Sequence, residues 1–138
     1  MSVIDLYNIE SLESKSVPVG STFDQVVIYA RCGLSSIAHG QRFRIAIKTN
    51  GAEYYGAWQN PIVAQYLTFT KTYSTNPNTS LAWTWAQLNA LQIGVDLDPN
   101  GNSVFPVYGT QVFARVTYTE PPAGGIQQRW IMMGDSHR

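Results

Sequence analysis

Apolar and polar residues alternate with a period of two along most of this 138-residue chain. That spacing puts one side of a β-strand in a core and the other in water. In "FDQVVIYARC", Val26, Ile28, Ala30 and Cys32 share one face, and Val27, Tyr29 and Arg31 take the other. In "QRFRIAIK", Phe43, Ile45 and Ile47 face inward while Arg42, Arg44 and Lys48 face out. Asn50-Gly51 follows, the strongest short hairpin signal, because a type I′ turn needs positive φ at both central positions. The return strand "EYYGAW" brings back Tyr54, Tyr55 and Trp58. "QYLTFTKTYS" sets Thr68, Thr70 and Thr72 against Leu67, Phe69 and Tyr73. "LQIGVDL" aligns Leu91, Ile93, Val95 and Leu97, and Asp98-Pro99-Asn100-Gly101 then reads as a turn. "TQVFARVTYT" places Val112, Ala114, Val116 and Tyr118 on one side. At least six strands follow, joined by links mostly too short for parallel crossovers. The fold class expected is all-β, an antiparallel two-layer β-sandwich of jelly-roll type.

One helix interrupts this pattern, near residues 84–91. Thr84-x-x-Gln87 has the form of a capping box. A helix from Trp85 to Ala90 would put Trp85 and Leu88 on one face, with Trp83 and Trp85 as lids over an open end of the sandwich; the alternative for the two indoles is a stacking platform for a sugar or base.

The ends depart from the alternation. Residues 1–20 read as an N-terminal arm, 21–119 as the sandwich, and 120–138 as a Pro/Gly linker with an apolar tail. Pro121, Pro122, Gly124 and Gly125 break the pattern, after which come Ile126, Trp130, Ile131, Met132 and Met133. Such a tail either packs back on its own sandwich or docks on a neighbour, since a Trp and two Met would not be left in water. The contact residues expected are Ile4, Leu6 and Tyr7 in the arm, with Trp130, Ile131 and Met132 in the tail.

Composition then narrows the setting. Hydrophobic residues make up 44% and charged residues only 13%, about half the usual charged share. The formal net charge is zero. No basic patch is dense enough for a phosphate backbone, so nucleic acid is not expected as a partner. A surface with so little repulsion associates easily, and a homo-oligomer is expected. The single cysteine, Cys32, ends an apolar alternation and reads as a buried free thiol. "MSVIDLYNIESLESKS" lacks the pattern of a secretion signal, and no run approaches the roughly 18 apolar residues of a membrane span, so no membrane partner is expected.

"NPNTSLAWTWAQLNALQIGVDL" followed by "TQVFARVTY" resembles a pattern in small β-sandwich domains of tailed-bacteriophage structural proteins. The positions that carry the likeness are Asn76, Pro77, Thr79, Trp83, Thr84, Trp85, Leu91, Gln92, Gly94, Val95, Thr110, Gln111, Val112, Val116 and Tyr118. The resemblance covers about residues 20–119 and departs at both ends. It implies a non-enzymatic virion component, assembled in the host cytoplasm, with the major capsid or tail protein as partner. A capsid decoration or cement protein is the leading expectation; a tail-fibre or receptor-binding, carbohydrate-binding module is the alternative.

Candidate chemistry is sparse. Asp96-x-Asp98-x-Asn100-Gly101 matches the opening of a calcium loop, but the bidentate Glu that should follow is Val107. His39 and His137 are isolated, and no nucleophile, base and carboxylate pattern is legible. No cofactor, metal or catalytic residue is expected. For the sugar-binding alternative, Tyr54, Tyr55 and Trp58 would offer stacking faces.

Overall fold

The computed structural model describes residues 3–34, 40–61, 64–99, 107–122 and 128–136. His39, Asn100, Gly101, Gly124, Gly125, Ile126 and His137, given roles above, lie outside them. The described strands are β1 (Val3–Ile9), β2 (Thr22–Leu34), β3 (Arg42–Thr49), β4 (Ala52–Tyr55), β5 (Tyr66–Tyr73), β6 (Gln92–Asp98), β7 (Val107–Thr119) and β8 (Gln128–Ser136). A short helix, α1 (Trp85–Asn89), lies between β5 and β6.

The strands form two antiparallel four-stranded sheets packed face to face, β4-β3-β6-β1 and β8-β7-β2-β5, hereafter sheets A and B. The expected two-layer β-sandwich is therefore what forms. At one corner β8 leaves sheet B and pairs with β1 through Asn8↔Ser136 and Ile9↔Asp135, which joins the two sheets. The strand order is continuous from β4 to β5.

The core lies between the inward faces that the alternation marks. Val26, Ile28, Ala30 and Cys32 from β2 and Val112, Ala114 and Val116 from β7 meet Phe43, Ile45, Ile47, Ile93 and Val95 from sheet A. Burial pushes the Cys32 thiol up to about 12, so it stays protonated and packs as a small apolar group. Asn50 and Gly51 have φ of 51° and 77°, positive at both centres of the β3–β4 turn as type I′ geometry requires.

The stretch between β5 and β6 carries the chain from one sheet to the other. Both halves of the capping box form: the Thr84 hydroxyl accepts from the Gln87 N–H at 3.2 Å, and the Gln87 side chain accepts from the Thr84 N–H at 3.0 Å. Leu88 and Trp83 are buried in the core, and the Trp83 indole N–H donates to the Tyr73 carbonyl at 3.2 Å. Trp85 is half-buried, tilted against Phe23 with ring centroids 6.1 Å apart.

Both ends, read from the sequence as an arm and a tail, form strands of the sandwich, and of the two courses open to the tail it takes the first. β1 pairs along β6 from Val3↔Leu97 to Asn8↔Gln92, so it is an integral strand of sheet A. β8 pairs along β7 from Thr119↔Gln128 to Phe113↔Gly134, so the apolar tail packs back on its own sandwich. The physical reason is the same at both ends. Ile9 and Met133 find core positions there, and the strands cover what would otherwise be open edges of β6 and β7.

Candidate interaction site

The outer face of sheet A collects arginines, carboxylates and aromatic rings by register. β3 pairs β6 with Arg42↔Asp98 and Arg44↔Asp96, so two cations meet two anions across adjacent strands. The Arg44 Nε donates to Asp96 Oδ2 at 2.8 Å, and the Arg42 Nε to Asp98 Oδ2 at 2.9 Å. Asp96 is fully buried, and its second oxygen, Oδ1, has no hydrogen-bond partner among the described residues. The Arg44 guanidinium lies 3.9 Å from the Tyr55 ring centroid and 4.1 Å from that of Trp58. Arg42 lies 4.2 Å from the same indole. At such distances the positive group is attracted to the negative face of each ring. A hydrogen bond to Glu53 raises the Tyr55 phenol above its ordinary value, so it remains a neutral donor.

This placement answers two of the candidate readings. Tyr54 and Tyr55 are consecutive on β4 and project to opposite faces, so Tyr54, Tyr55 and Trp58 do not make one stacking platform for a sugar. Tyr54 packs against the core, and its hydroxyl accepts from the Asn78 side chain at 2.9 Å. Tyr55 and Trp58 already serve guanidinium groups of the chain itself. For calcium, Asp96 and Asp98 sit in strand β6 rather than in a loop, and each carboxylate is engaged by an arginine that a cation would have to displace. Among the described residues no group of three or more His, Cys, Asp or Glu side chains could hold a metal ion. The Arg-carboxylate pairs had a readable signal, opposite charges at matching two-residue spacings on two strands, but only the register brings them together.

The six expected contact residues divide between faces. Ile4 and Leu6 lie opposite Asp96 and Gly94, on the outer face of sheet A, with Ile4 38% exposed. Tyr7 lies opposite Ile93 and packs against the core, its hydroxyl donating to Asp5 at 2.7 Å. On β8 the alternation sends Ile131 and Met133 inward and Trp130 and Met132 outward. Trp130 is 62% exposed and Met132 39%.

The outer face of sheet B surrounds these two with aromatic and cationic groups. Met132 is opposite Arg115, which is opposite Val27; Tyr29 is opposite Phe113. The Tyr29 and Phe113 rings stack at 4.8 Å with an interplanar angle of 10°. The Arg115 guanidinium is 5.5 Å from the Tyr29 ring and 6.0 Å from that of Trp130. Trp, Tyr and Arg are the residues that dominate binding energy in protein interfaces. Here they stand on paired strands, which fix their positions before any partner arrives.

The motif positions Asn76, Pro77 and Thr79 organise the loop that leads into α1. Buried Asn76 donates to the Thr49 hydroxyl at 2.9 Å and accepts from the Asn78 N–H at 2.8 Å. The Thr79 hydroxyl accepts from the Leu81 N–H at 3.2 Å. These residues hold the joint between the sheets. Compared with protein families, curated proteins and solved structures, the chain matches none of them. No helix among the described residues is long and apolar enough to cross a membrane.

Proposed function

We propose that this chain is a non-enzymatic structural component of a tailed-phage particle, a decoration or cement protein of the capsid. It attaches to the major capsid or tail protein through the outer face of sheet B. The observation that carries the reading is Trp130, 62% exposed on a paired strand beside Met132 and Arg115. A large indole held in water on a rigid strand is costly unless another surface covers it. The phage setting is supported by the sequence resemblance over residues 20–119 and by a surface with little charge. Attachment then comes from a strand face, so the body itself meets its neighbour through side chains already held in place by strand pairing.

Sedimentation with assembled capsids tests this. The double variant Trp130→Ser, Met132→Ser changes only outward positions and keeps the core, so it should remain folded by circular dichroism. Its affinity for particles should fall at least about thirtyfold, the loss typical of truncating a central aromatic contact. Unchanged binding by a folded double variant would overturn the reading.

A further inference from the structure

Asp5 occupies a position where the alternation calls for an apolar side chain. Its β6 partner is Val95, which faces the core, and its strand neighbour Tyr7 is opposite core residue Ile93. By register Asp5 is on the inward side, yet it is exposed, so its carboxylate stands at an open mouth of the sandwich. It breaks the local pattern there, and such breaks concentrate at functional positions. Here the break coincides with a cavity of about 60 Å³ between the sheets. Asp5 and Tyr7 line it from β1, Val95 and Leu97 from β6, and Gly109 to Val112 from β7. Among the described residues β8 pairs β7 from Phe113 to Thr119 and meets β1 at Asn8 and Ile9, so the cavity lies along parts of β1 and β7 that β8 does not pair.

The size and chemistry of this space select a ligand class. One water needs about 10–15 Å³ by this measure, so the cavity holds roughly four to six non-hydrogen atoms. A hexose ring with its hydroxyls is too large; the end of a lysine or arginine side chain fits. Val95, Leu97 and Val112 supply apolar walls for methylene groups. Asp5 supplies the charge: its Oδ2 accepts from the Tyr7 hydroxyl, and no cation pairs with it among the described residues. The Tyr7 bond fixes the carboxylate before binding, which lowers the entropy lost on capture. Gly109 keeps the space open, because a Cβ there would stand 3.0 Å from Val95 Cγ2.

We propose that this cavity is a socket for a lysine or arginine side chain of a partner protein, with Asp5 receiving the cationic tip. It is a second contact, separate from the outer face of sheet B, and does not depend on it.

The test is an amide-resolved NMR titration of the whole chain with Nα-acetyl-lysine methylamide, and with Nα-acetyl-norleucine methylamide as the uncharged counterpart. The lysine probe should shift the amides of Gly109, Thr110 and Gln111 saturably, with a Kd on the order of millimolar. The norleucine probe should bind at least about fivefold more weakly, as should the lysine probe to Asp5→Asn, the effect expected of one partly exposed ion pair. Gly109→Ala, which narrows the cavity and leaves the charge, should weaken the lysine probe as well. Equal binding of the two probes would overturn the socket, as would shifts spread evenly over the other carboxylates, or none up to about 50 mM probe. The wild-type comparison decides the matter even if a variant fails to fold.

Discussion

The Trp85 indole N–H donates to the Glu13 carboxylate at 2.9 Å, linking residues 72 apart in the chain. Asn89 adds two bonds to the same carboxylate, at 3.1 and 3.0 Å, and its Oδ1 accepts from the Leu12 N–H at 2.8 Å. The turn after β1 is thereby fastened to α1. Leu12, fully buried, is the apolar part of the same joint.

The hydrogen bond from Trp85, followed by smaller hydrogen-bond contributions, holds the Glu13 carboxyl below its ordinary value. A depressed folded value means that the bond contributes above the ordinary glutamate range and is lost as pH falls through the folded value. The Trp85 indole N–H resonance should therefore move in acid with a midpoint below that of an ordinary glutamate. Glu13→Gln should remove that transition. A midpoint at or above the ordinary range would contradict the assignment.

Arg44 and Arg42 look alike in sequence and should behave differently. Arg44→Ala leaves a fully buried Asp96 without its cation and should cost about 3–5 kcal/mol. Arg42→Ala breaks a pair whose arginine is 41% exposed and should cost about 1 kcal/mol or less. Urea unfolding of the two variants measures the gap, and equal losses would refute the distinction.

Two glycines are required for different reasons. At Gly94 an added Cβ would fall on the Asp5 carbonyl, so Gly94→Ala must push β1 from β6. Gly51 has nothing within 4 Å, and only its φ of 77° resists substitution. Gly51→Ala should cost about 1 kcal/mol, and Gly94→Ala clearly more by thermal unfolding. Amide exchange should accelerate in β1 of the Gly94 variant alone.

Removing the Thr84 hydroxyl should uncap α1. Thr84→Ala should lose about 1 kcal/mol, whereas Trp83→Ala, which empties a core position, should lose about 3–5 kcal/mol. Denaturant midpoints compare the two directly.

The body of the sandwich was legible because each of its strands keeps one apolar side, and because Asn50-Gly51 fixes one turn by chemistry alone. The capping box was legible for the same local reason. The first and last described strands, β1 and β8, were not. β1 places Asp5 on the inward side and Ile4 and Leu6 on the outward side, so its polarity pattern is confused. β8 runs Trp130, Ile131, Met132, Met133 without a polar break, so period two cannot be seen in it. The pairing of Arg44 with Asp96 spans 52 residues and depends on a register that only the assembled sheet sets. The cavity at Asp5 is likewise lined by β1, β6 and β7 together, a property of no single segment.

Because one strand stitches both sheets at their shared corner, the order of synthesis matters. The seam is made by β8, which leaves the ribosome after the other described strands. A nascent chain shorter than this has the edges of β1 and β7 bare, together with the site that Met133 fills. Such a chain is open to strand pairing with its neighbours on a polysome. The seam itself, Asn8 with Ser136 and Ile9 with Asp135, joins distant parts of the chain, the kind of contact that forms late.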